Sequence, residues 1–294
     1  MLKEKYPKLF VIILNYNGKD TIKSCLDSVF CSDYPNFEIV VIDNNSKDGS
    51  LELAKNLYSK FHFIKNESNL GFSAGNNMGI RFALEKMADY VFLLNNDATL
   101  EKDTLSKLIC SAKNSKAGIF SPIILNDNGN IWFSGGKIIW TRMRTVHINK
   151  KPNKKNSYST QYVTGCAMLI KKEVFKKIGL LSEDYFLYYE DTDFCLRAKK
   201  EGFNSMIVPE AKVKHFEKSE LYLSNKIYWL VFSGLIFFEK NTPLLLKTLT
   251  HPYLYLRKVK NMVDNLNNKN QYASVVKKAY LDFKKWKKNP KYPL

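Results

Sequence analysis

The stretch Val91-Phe92-Leu93-Leu94-Asn95-Asn96-Asp97 decides how this chain reads. Four apolar residues in a row suit a strand buried on both faces. The run stops at two amides and a carboxylate, followed by Ala98-Thr99-Leu100. Open α/β sheets bind ligands outside the carboxyl ends of their strands. Oxygen-rich side chains placed there suit a hard cation and the phosphates it carries. A polar turn that merely ends a strand is the plain alternative.

The pattern recurs on the N-terminal side. Leu9–Leu14 and Phe37–Ile42 are apolar runs that end at Asn15-Tyr16-Asn17-Gly18 and Asp43-Asn44-Asn45-Ser46. Phe61–Ile64 predicts a short third strand. Helical spacing occupies Thr21–Phe30 and Ser50–Tyr58, and a Gly/Asn-rich turn, Asn69–Asn77, leads into a helix through about Met87. Strands alternating with such helices predict an α/β fold, a doubly wound, mostly parallel sheet whose strand ends share one rim.

From about Ala117 the pattern is less regular. Ile119–Leu125, Ile131–Phe133 and Tyr162–Ile170 predict strands, Lys172–Ile178 and Glu190–Lys200 helices, and residues 141–161, polar and basic without a period, a loop. After His215 the character changes. Ile227–Phe238 is apolar all round, but its 12 residues fall short of the roughly 20 needed to cross a bilayer.

The 294 residues carry a net charge of +18, with 45% apolar and 14% aromatic residues, a globular composition. From Glu217 onward there are 15 Lys/Arg against 5 Asp/Glu. Leu244–Val263 mixes Leu and Tyr with Arg257, Lys258 and Lys260, and Lys284-Lys285-Trp286-Lys287-Lys288 sets a tryptophan among lysines. Basic, aromatic helices that do not span suit the surface of a membrane. A tail packed on protein is the alternative. No nucleic-acid recognition motif is present, so nucleic acid is not an expected partner. Five cysteines, an odd number without Cys-x-x-Cys spacing, argue against a disulfide framework or a zinc site. With no signal peptide's apolar region at the N-terminus, the expected location is the cytoplasm, peripheral at the cytoplasmic membrane.

Several residues stand out on the predicted rim. Asp43 can accept a hydrogen bond from a pyrimidine N3–H or a ribose hydroxyl, or it can close an Asx turn. Gly71 and Gly75 would let backbone approach a ligand, or simply make a tight turn. In Asp184-Tyr185-Phe186-Leu187-Tyr188-Tyr189-Glu190-Asp191-Thr192-Asp193 three acids follow four aromatics. Acids suit a helix start. An acid desolvated by such rings would also gain proton affinity and serve as a base.

Seven segments in order resemble the family 2 glycosyltransferases with a GT-A fold, in particular their rhamnosyltransferase-like bacterial branch. They are Val11–Gly18, Val40–Ser50, Asn69–Ile80, Leu93–Ala98, Val163–Gly179, Phe186–Phe203 and Val208–Phe216. The resemblance implies inverting transfer of a sugar from a nucleotide diphosphate donor, dTDP-rhamnose or a UDP-sugar, to a hydroxyl of a cell-surface glycan or lipid-linked acceptor. It implies a GT-A domain over residues 1–216, with a nucleotide-binding half over about 1–116 and an acceptor half over about 117–216, and a helical tail over 217–294.

The same resemblance distributes roles. Asp43 would recognise the pyrimidine, with Asn15, Gly71 and Asn96 on the donor side. Asn95 and Asp97 would occupy the metal motif, Asp97 binding Mg²⁺ or Mn²⁺ with His215 completing the shell. Gly165 and Cys166 would line the sugar pocket. Asp191 would be the general base, with Glu190 and Asp193 shaping the acceptor site or the helix start. The family motif normally has two acids where this chain has Asn95 and Asp97, and an amide ligates a hard cation with less charge. A second reading is a non-catalytic nucleotide-sugar-binding subunit of an assembly complex.

Overall fold

The structure, a computed structural model, describes residues 6–153, 156–216, 223–267 and 269–290. The chain divides into two compact units. One comprises residues 1–137, 147–182 and 191–217, the other 138–146, 183–190 and 218–294. Two short excursions, 138–146 and 183–190, therefore belong with the C-terminal helices, although nothing in their sequence marks a boundary.

In the first unit, strands β1 (Leu9–Asn15), β2 (Phe37–Asp43), β3 (His62–Lys65) and β4 (Tyr90–Asn95) alternate with helices α1 (Ile22–Phe30), α2 (Ser50–Leu57) and α3 (Gly71–Glu85). Next along the chain, with β8 and β9 lying partly in the second unit, come β5 (Ala98–Leu100), α4 (Thr104–Lys113), β6 (Ile119–Leu125), β7 (Ile131–Phe133), β8 (Gly136–Ile139), β9 (Arg144–His147), β10 (Tyr158–Thr160), β11 (Ala167–Lys171), α5 (Lys172–Ile178), α6 (Glu190–Lys200) and β12 (Ser205–His215). The main sheet runs β10-β12-β6-β11-β4-β1-β2-β3, with β5 on β12 and β7 on β6. The pairs β1–β2, β1–β4, β2–β3 and β6–β12 are parallel, and β11 runs against both its neighbours. This is the mostly parallel α/β sheet that the alternation predicts. Its central strands are covered on both faces, as continuous apolar runs require: Leu9–Ile13 and Val91–Leu93 are fully buried.

Two local expectations are corrected. Asn69–Asn77 is not a turn throughout, because α3 already begins at Gly71. Gly75 and Gly79 lie on the helix face against the sheet, where a Cβ would come within 2.6 Å of Leu14 and Ile12 side-chain carbons respectively. Small residues let helix and sheet approach closely, and a glycine chosen for packing looks in sequence like a glycine chosen for turning. The expected loop over 141–161 contains strands β9 and β10. Strands of three or four residues are too short to show an alternation.

The second unit is built on α7 (Leu223–Asn241), α8 (Leu244–Leu266) and α9 (Ala273–Trp286). The all-round apolar character of α7 is explained by what covers it. Phe186 stacks on Trp229 with centroids 4.4 Å apart, and Tyr189 and Trp140 lie on Phe237 at 5.3 and 6.0 Å. The Ser233 hydroxyl donates to the Leu187 carbonyl at 2.7 Å. On another side Tyr228 Oη donates to Asp282 Oδ2 of α9 at 2.9 Å. Among the described residues no helix is long and apolar enough to cross a membrane.

Tyr188 and Tyr189 both adopt left-handed backbone, φ +69° and +68°, immediately before Glu190. Such a conformation is costly for a non-glycine residue and persists where the surroundings over-determine it.

Candidate active site

Parallel register brings the strand ends together. Asn15 is opposite Asp43 across β1–β2, and Leu14 is opposite Asn95 across β1–β4. At their centre is the side-chain amide of Asn15, fully buried. Its nitrogen faces Asp43 Oδ1 at 3.0 Å, Ser46 Oγ at 3.1 Å and Ser50 Oγ at 2.8 Å. Its oxygen accepts from Asn96 Nδ2 at 2.9 Å. An amide has two N–H bonds, so three acceptors share them, and the network is nearly saturated.

The loops beyond the strands are pinned in the same way. Asn17, at φ +51°, accepts the Lys47 N–H at 2.8 Å, and Asp48 accepts the Lys19 N–H at 2.8 Å and the Ser50 hydroxyl at 2.6 Å. Burial works to raise the Asp48 pKa, but the Ser50 and Lys19 donors hold it below the usual range. Gly18 lies inside this tie: a Cβ there would fall 2.1 Å from Asn96 Nδ2 and 2.5 Å from Asn15 Oδ1.

Asp43, expected to read a base, is fully buried. Its Oδ2 accepts the Ser46 N–H at 3.0 Å, the Asx-turn geometry that was the alternative. Gly71 is also buried and occupied. Its N–H donates to Asn69 Oδ1 at 3.0 Å, its carbonyl accepts from Asn44 Nδ2 at 3.0 Å, and its φ of +77° explains the glycine.

Beyond β4 the chain turns at Asn95-Asn96-Asp97. Asp97 Oδ1 lies 3.2 Å from His215 Nε2. Pairing of His215 with Ala98 and the bond from Phe216 N–H to the Asp97 carbonyl, 2.8 Å, hold the end of β12 there. Asp97 Oδ1 and His215 Nδ1 are buried and make no hydrogen bond. A carboxylate and an imidazole whose buried Nδ1 has no partner fit a divalent cation once His215 gives up its proton, and Asn95, half-buried, adds only a neutral amide. Among the described residues no three His, Cys, Asp or Glu side chains converge as a metal site. Of the residues expected at the metal, Asp97 and His215 are the two in direct contact. Burial disfavours charge on His215, but Cys166 and Asp97 outweigh it and raise its proton affinity.

Asp191 is in the first turn of α6. Its Oδ2 accepts the Gly165 N–H at 3.0 Å; its Oδ1 accepts the Thr192 N–H at 2.5 Å and the Thr192 hydroxyl at 3.1 Å. Burial raises its pKa above the ordinary carboxylate range, and the hydrogen bonds from Gly165 and Thr192 and the charge of His147 oppose but do not cancel that. Gly165 leaves space for Phe72 as well, because a Cβ would come within 2.9 Å of Phe72 Cζ. Cys166 is buried, and its carbonyl accepts the Asn95 N–H at 3.0 Å, joining the sugar-pocket candidates to the metal motif. None of the five cysteines is in a disulfide.

The acids beside Asp191 differ from it. Asp193 is 2% exposed, and its Oδ2 takes Arg197 Nε at 2.8 Å, while the same guanidinium donates to the Ile178 and Leu180 carbonyls at 2.8 and 2.9 Å. This braces α6 on the preceding loop. Glu190 is 4% exposed at the helix start. Phe186 and Tyr189, expected to hem in the base, are committed to α7.

Sequence reasoning missed Trp132 and His147. Trp132 of β7 meets His147 of β9 and His215 edge-on, at 4.6 and 4.8 Å, and Phe133 meets His147 at 4.9 Å. One aromatic cluster thus joins the cation pair to the histidine whose charge acts on Asp191. The only signal was a lone histidine in a segment without periodicity.

The model of glycosyl transferase family 2 matches residues 10–179. The low-salt glycan biosynthesis hexosyltransferase Agl10 of Haloferax volcanii is 32% identical over 199 residues, covering 67% of this chain and 63% of that protein. The dTDP-rhamnosyl transferase RfbF of Shigella flexneri is 24% identical over 274 residues, 87% of this chain and 90% of its own. Among solved structures, the mannosyltransferase PcManGT from Pyrobaculum calidifontis in complex with GDP-Man and Mn²⁺ superposes with a TM-score of 0.63 at 14% identity, covering 97% of this chain and 88% of that one. GalNAc-T7 with UDP, GalNAc and Mn²⁺ gives 0.64 at 17%, covering 85% and 55%. At such identities the superpositions establish the GT-A fold, and the family match establishes membership. The chain belongs to glycosyl transferase family 2.

Proposed function

We propose that this protein transfers a sugar, with inversion, from a dTDP- or UDP-linked donor to a hydroxyl of a cell-surface glycan or lipid-linked acceptor. The observation that carries this is the state of Asp191: held at a helix start by Gly165 and Thr192, and raised in proton affinity by burial. A raised proton affinity improves a carboxylate as a general base. Asp191 takes the acceptor proton as the acceptor oxygen bonds to the anomeric carbon from one face. The bond to the diphosphate breaks on the other.

Asp97 and His215, with Asn95 beside them in the motif, would hold Mg²⁺ or Mn²⁺. The cation's chemistry is to neutralise charge on the departing nucleotide diphosphate. On the donor side, the strand ends tied by Asn15 set the position of Asn96 and hence of Asp97. Asp43 reads the pyrimidine. Names of relatives support the donor class: one is a dTDP-rhamnosyl transferase, and another, from Mycobacterium tuberculosis, acts on a diphospho-decaprenol.

We place the C-terminal helices at the cytoplasmic membrane surface. Along α8, Leu245, Leu249, Leu256, Val263 and Leu266 form one stripe at 38–86% exposure together with Val259, and Lys247, Arg257, Lys258 and Lys260 lie on the same helix. Exposed apolar surface with flanking cations is the composition of an interfacial helix.

Incubation with UDP- and dTDP-sugars plus Mn²⁺, read as nucleotide diphosphate release, tests the proposal. Turnover lost in Asp97→Ala and Asp191→Asn supports it. Donor binding without turnover, unchanged in Asp191→Asn, favours a binding subunit.

A further inference from the structure

Strand β7 pairs with β6 through Ile131 on Leu125 and Phe133 on Ile124, so one step along β6 is matched by two along β7. The extra residue of this bulge is Trp132. A bulge re-aims the side chain it carries, and bulges gather beside active sites. On the other edge of β6, Leu125 pairs with Lys214 of β12, the residue before His215. Two strand spacings, roughly 10 Å, separate β7 from β12. The Trp132 indole crosses that gap and meets the His215 ring edge-on, with centroids 4.8 Å apart and planes at 65°. Phe133, fully buried, anchors the strand beside it.

A histidine that ligates a metal is ordinarily oriented by a hydrogen bond from its second ring nitrogen to a carboxylate, a carbonyl or water. His215 departs from that pattern. Its Nε2 faces Asp97 Oδ1 at 3.2 Å, while Nδ1 is buried and makes no hydrogen bond. The plane of the ring is therefore left to packing, and among the described residues Trp132 is the one aromatic ring against it. Edge-on aromatic pairs attract beyond the area they bury. His147 in turn braces the indole, at 4.6 Å and 76°.

We propose that Trp132 is a positioning residue for the cation site: its indole sets the plane of the His215 ring, and so the direction of Nε2, in place of the hydrogen bond that Nδ1 lacks. The inference rests on the reading of Asp97 and His215 as the pair that holds Mg²⁺ or Mn²⁺. It adds to that reading a residue that acts on the cation only through His215.

Mn²⁺ uptake by the full chain is measured as loss of the free-ion EPR signal, with UDP or dTDP present and a nucleotide-only blank subtracted. Trp132→Leu keeps apolar bulk and removes the ring. It should weaken Mn²⁺ binding by about tenfold, the usual cost of removing the group that orients a metal ligand. Trp132→Phe keeps an aromatic edge and should bind within about twofold of the parent. Asp97→Ala, which removes a ligand outright, is the reference for loss of the site. Should Trp132→Leu not fold, His147→Ala at an exposed position removes the brace on the indole, and should weaken binding by about threefold.

Parent-like Mn²⁺ affinity in Trp132→Leu, or in His147→Ala where that variant stands in, would overturn the proposal. Equal losses in the Phe and Leu variants would overturn it too, because an aromatic edge would then not be what holds His215. A loss in Asp97→Ala with none in Trp132→Leu removes this inference alone. A parent that takes up no Mn²⁺ with either nucleotide, or an Asp97→Ala variant that binds like the parent, removes the cation pair on which the inference rests.

Discussion

Asn96 Nδ2 donates to Asn15 Oδ1 across 2.9 Å, and Gly18 supplies the space in which that bond forms. A methyl at position 18 must displace one amide or the other. Gly18→Ala should therefore cost about 1–2 kcal/mol by loss of that buried bond. It should also raise the donor KM more than it lowers kcat. Urea unfolding and steady-state kinetics on one preparation check both.

Removing the hub has a larger effect. Asn15→Ala leaves Asp43 Oδ1, Ser50 Oγ and Asn96 Nδ2 short of a partner, and about 3 kcal/mol of stability should go with them. Chemical denaturation gives the figure directly. A loss under 1 kcal/mol would show that water replaces the amide.

Asp191→Asn should reduce kcat by about 10²- to 10⁴-fold, the usual contribution of a general base. The pH dependence has a definite sign. A base works ionised, so kcat should fall as pH drops through a pKa displaced upward from the usual Asp value of about 3.9. Because folding raises this pKa, stability associated with the protonated form is full below the unfolded pKa and is lost as pH rises through the folded one. The Asn variant lacks that loss, so its Tm at neutral pH should equal or exceed the parent's.

Chelation should abolish nucleotide release, and Mn²⁺ or Mg²⁺ should restore it. Asp97→Asn removes the one charged oxygen of the motif, so half-maximal activity should need at least about tenfold more Mn²⁺. Equal metal requirements in variant and parent would assign the cation to the donor alone.

Replacing Leu245, Leu249 and Leu256 by Asp should reduce sedimentation with anionic vesicles, with Tm unchanged, because all three side chains are already exposed at 59–86%. Retained sedimentation would point to the lysines of α9.

Strand identity was legible because β1, β2 and β4 are buried on both faces and so read as unbroken apolar runs. The polar ends were legible too, but not their use. Asn15 and Asp43 read as rim residues, but the bonds that tie Asn15 to Asp43, Ser46, Ser50 and Asn96 were not legible, since a one-dimensional pattern does not distinguish an amide facing a cavity from one facing its neighbour strand. Gly75 misled for a related reason: its partner, Leu14, is 61 residues away in sequence. His147 and Trp132 met only through pairing of short strands that lack a readable period. The cover on α7 was invisible as well, because the rings that provide it, Trp140, Phe186 and Tyr189, come from distant segments.

The Asn15 tie also has a consequence for anyone who would retarget this enzyme. Asn15, Asp43, Ser50 and Asn96 share two N–H bonds and one carbonyl, so a change at one alters what the others can accept. Single substitutions in this set should show strong epistasis, their effects failing to sum in double mutants. Altered donor choice on this rim would then have to be selected from libraries that vary the four positions together, since stepwise walks would pass through poorly folded intermediates.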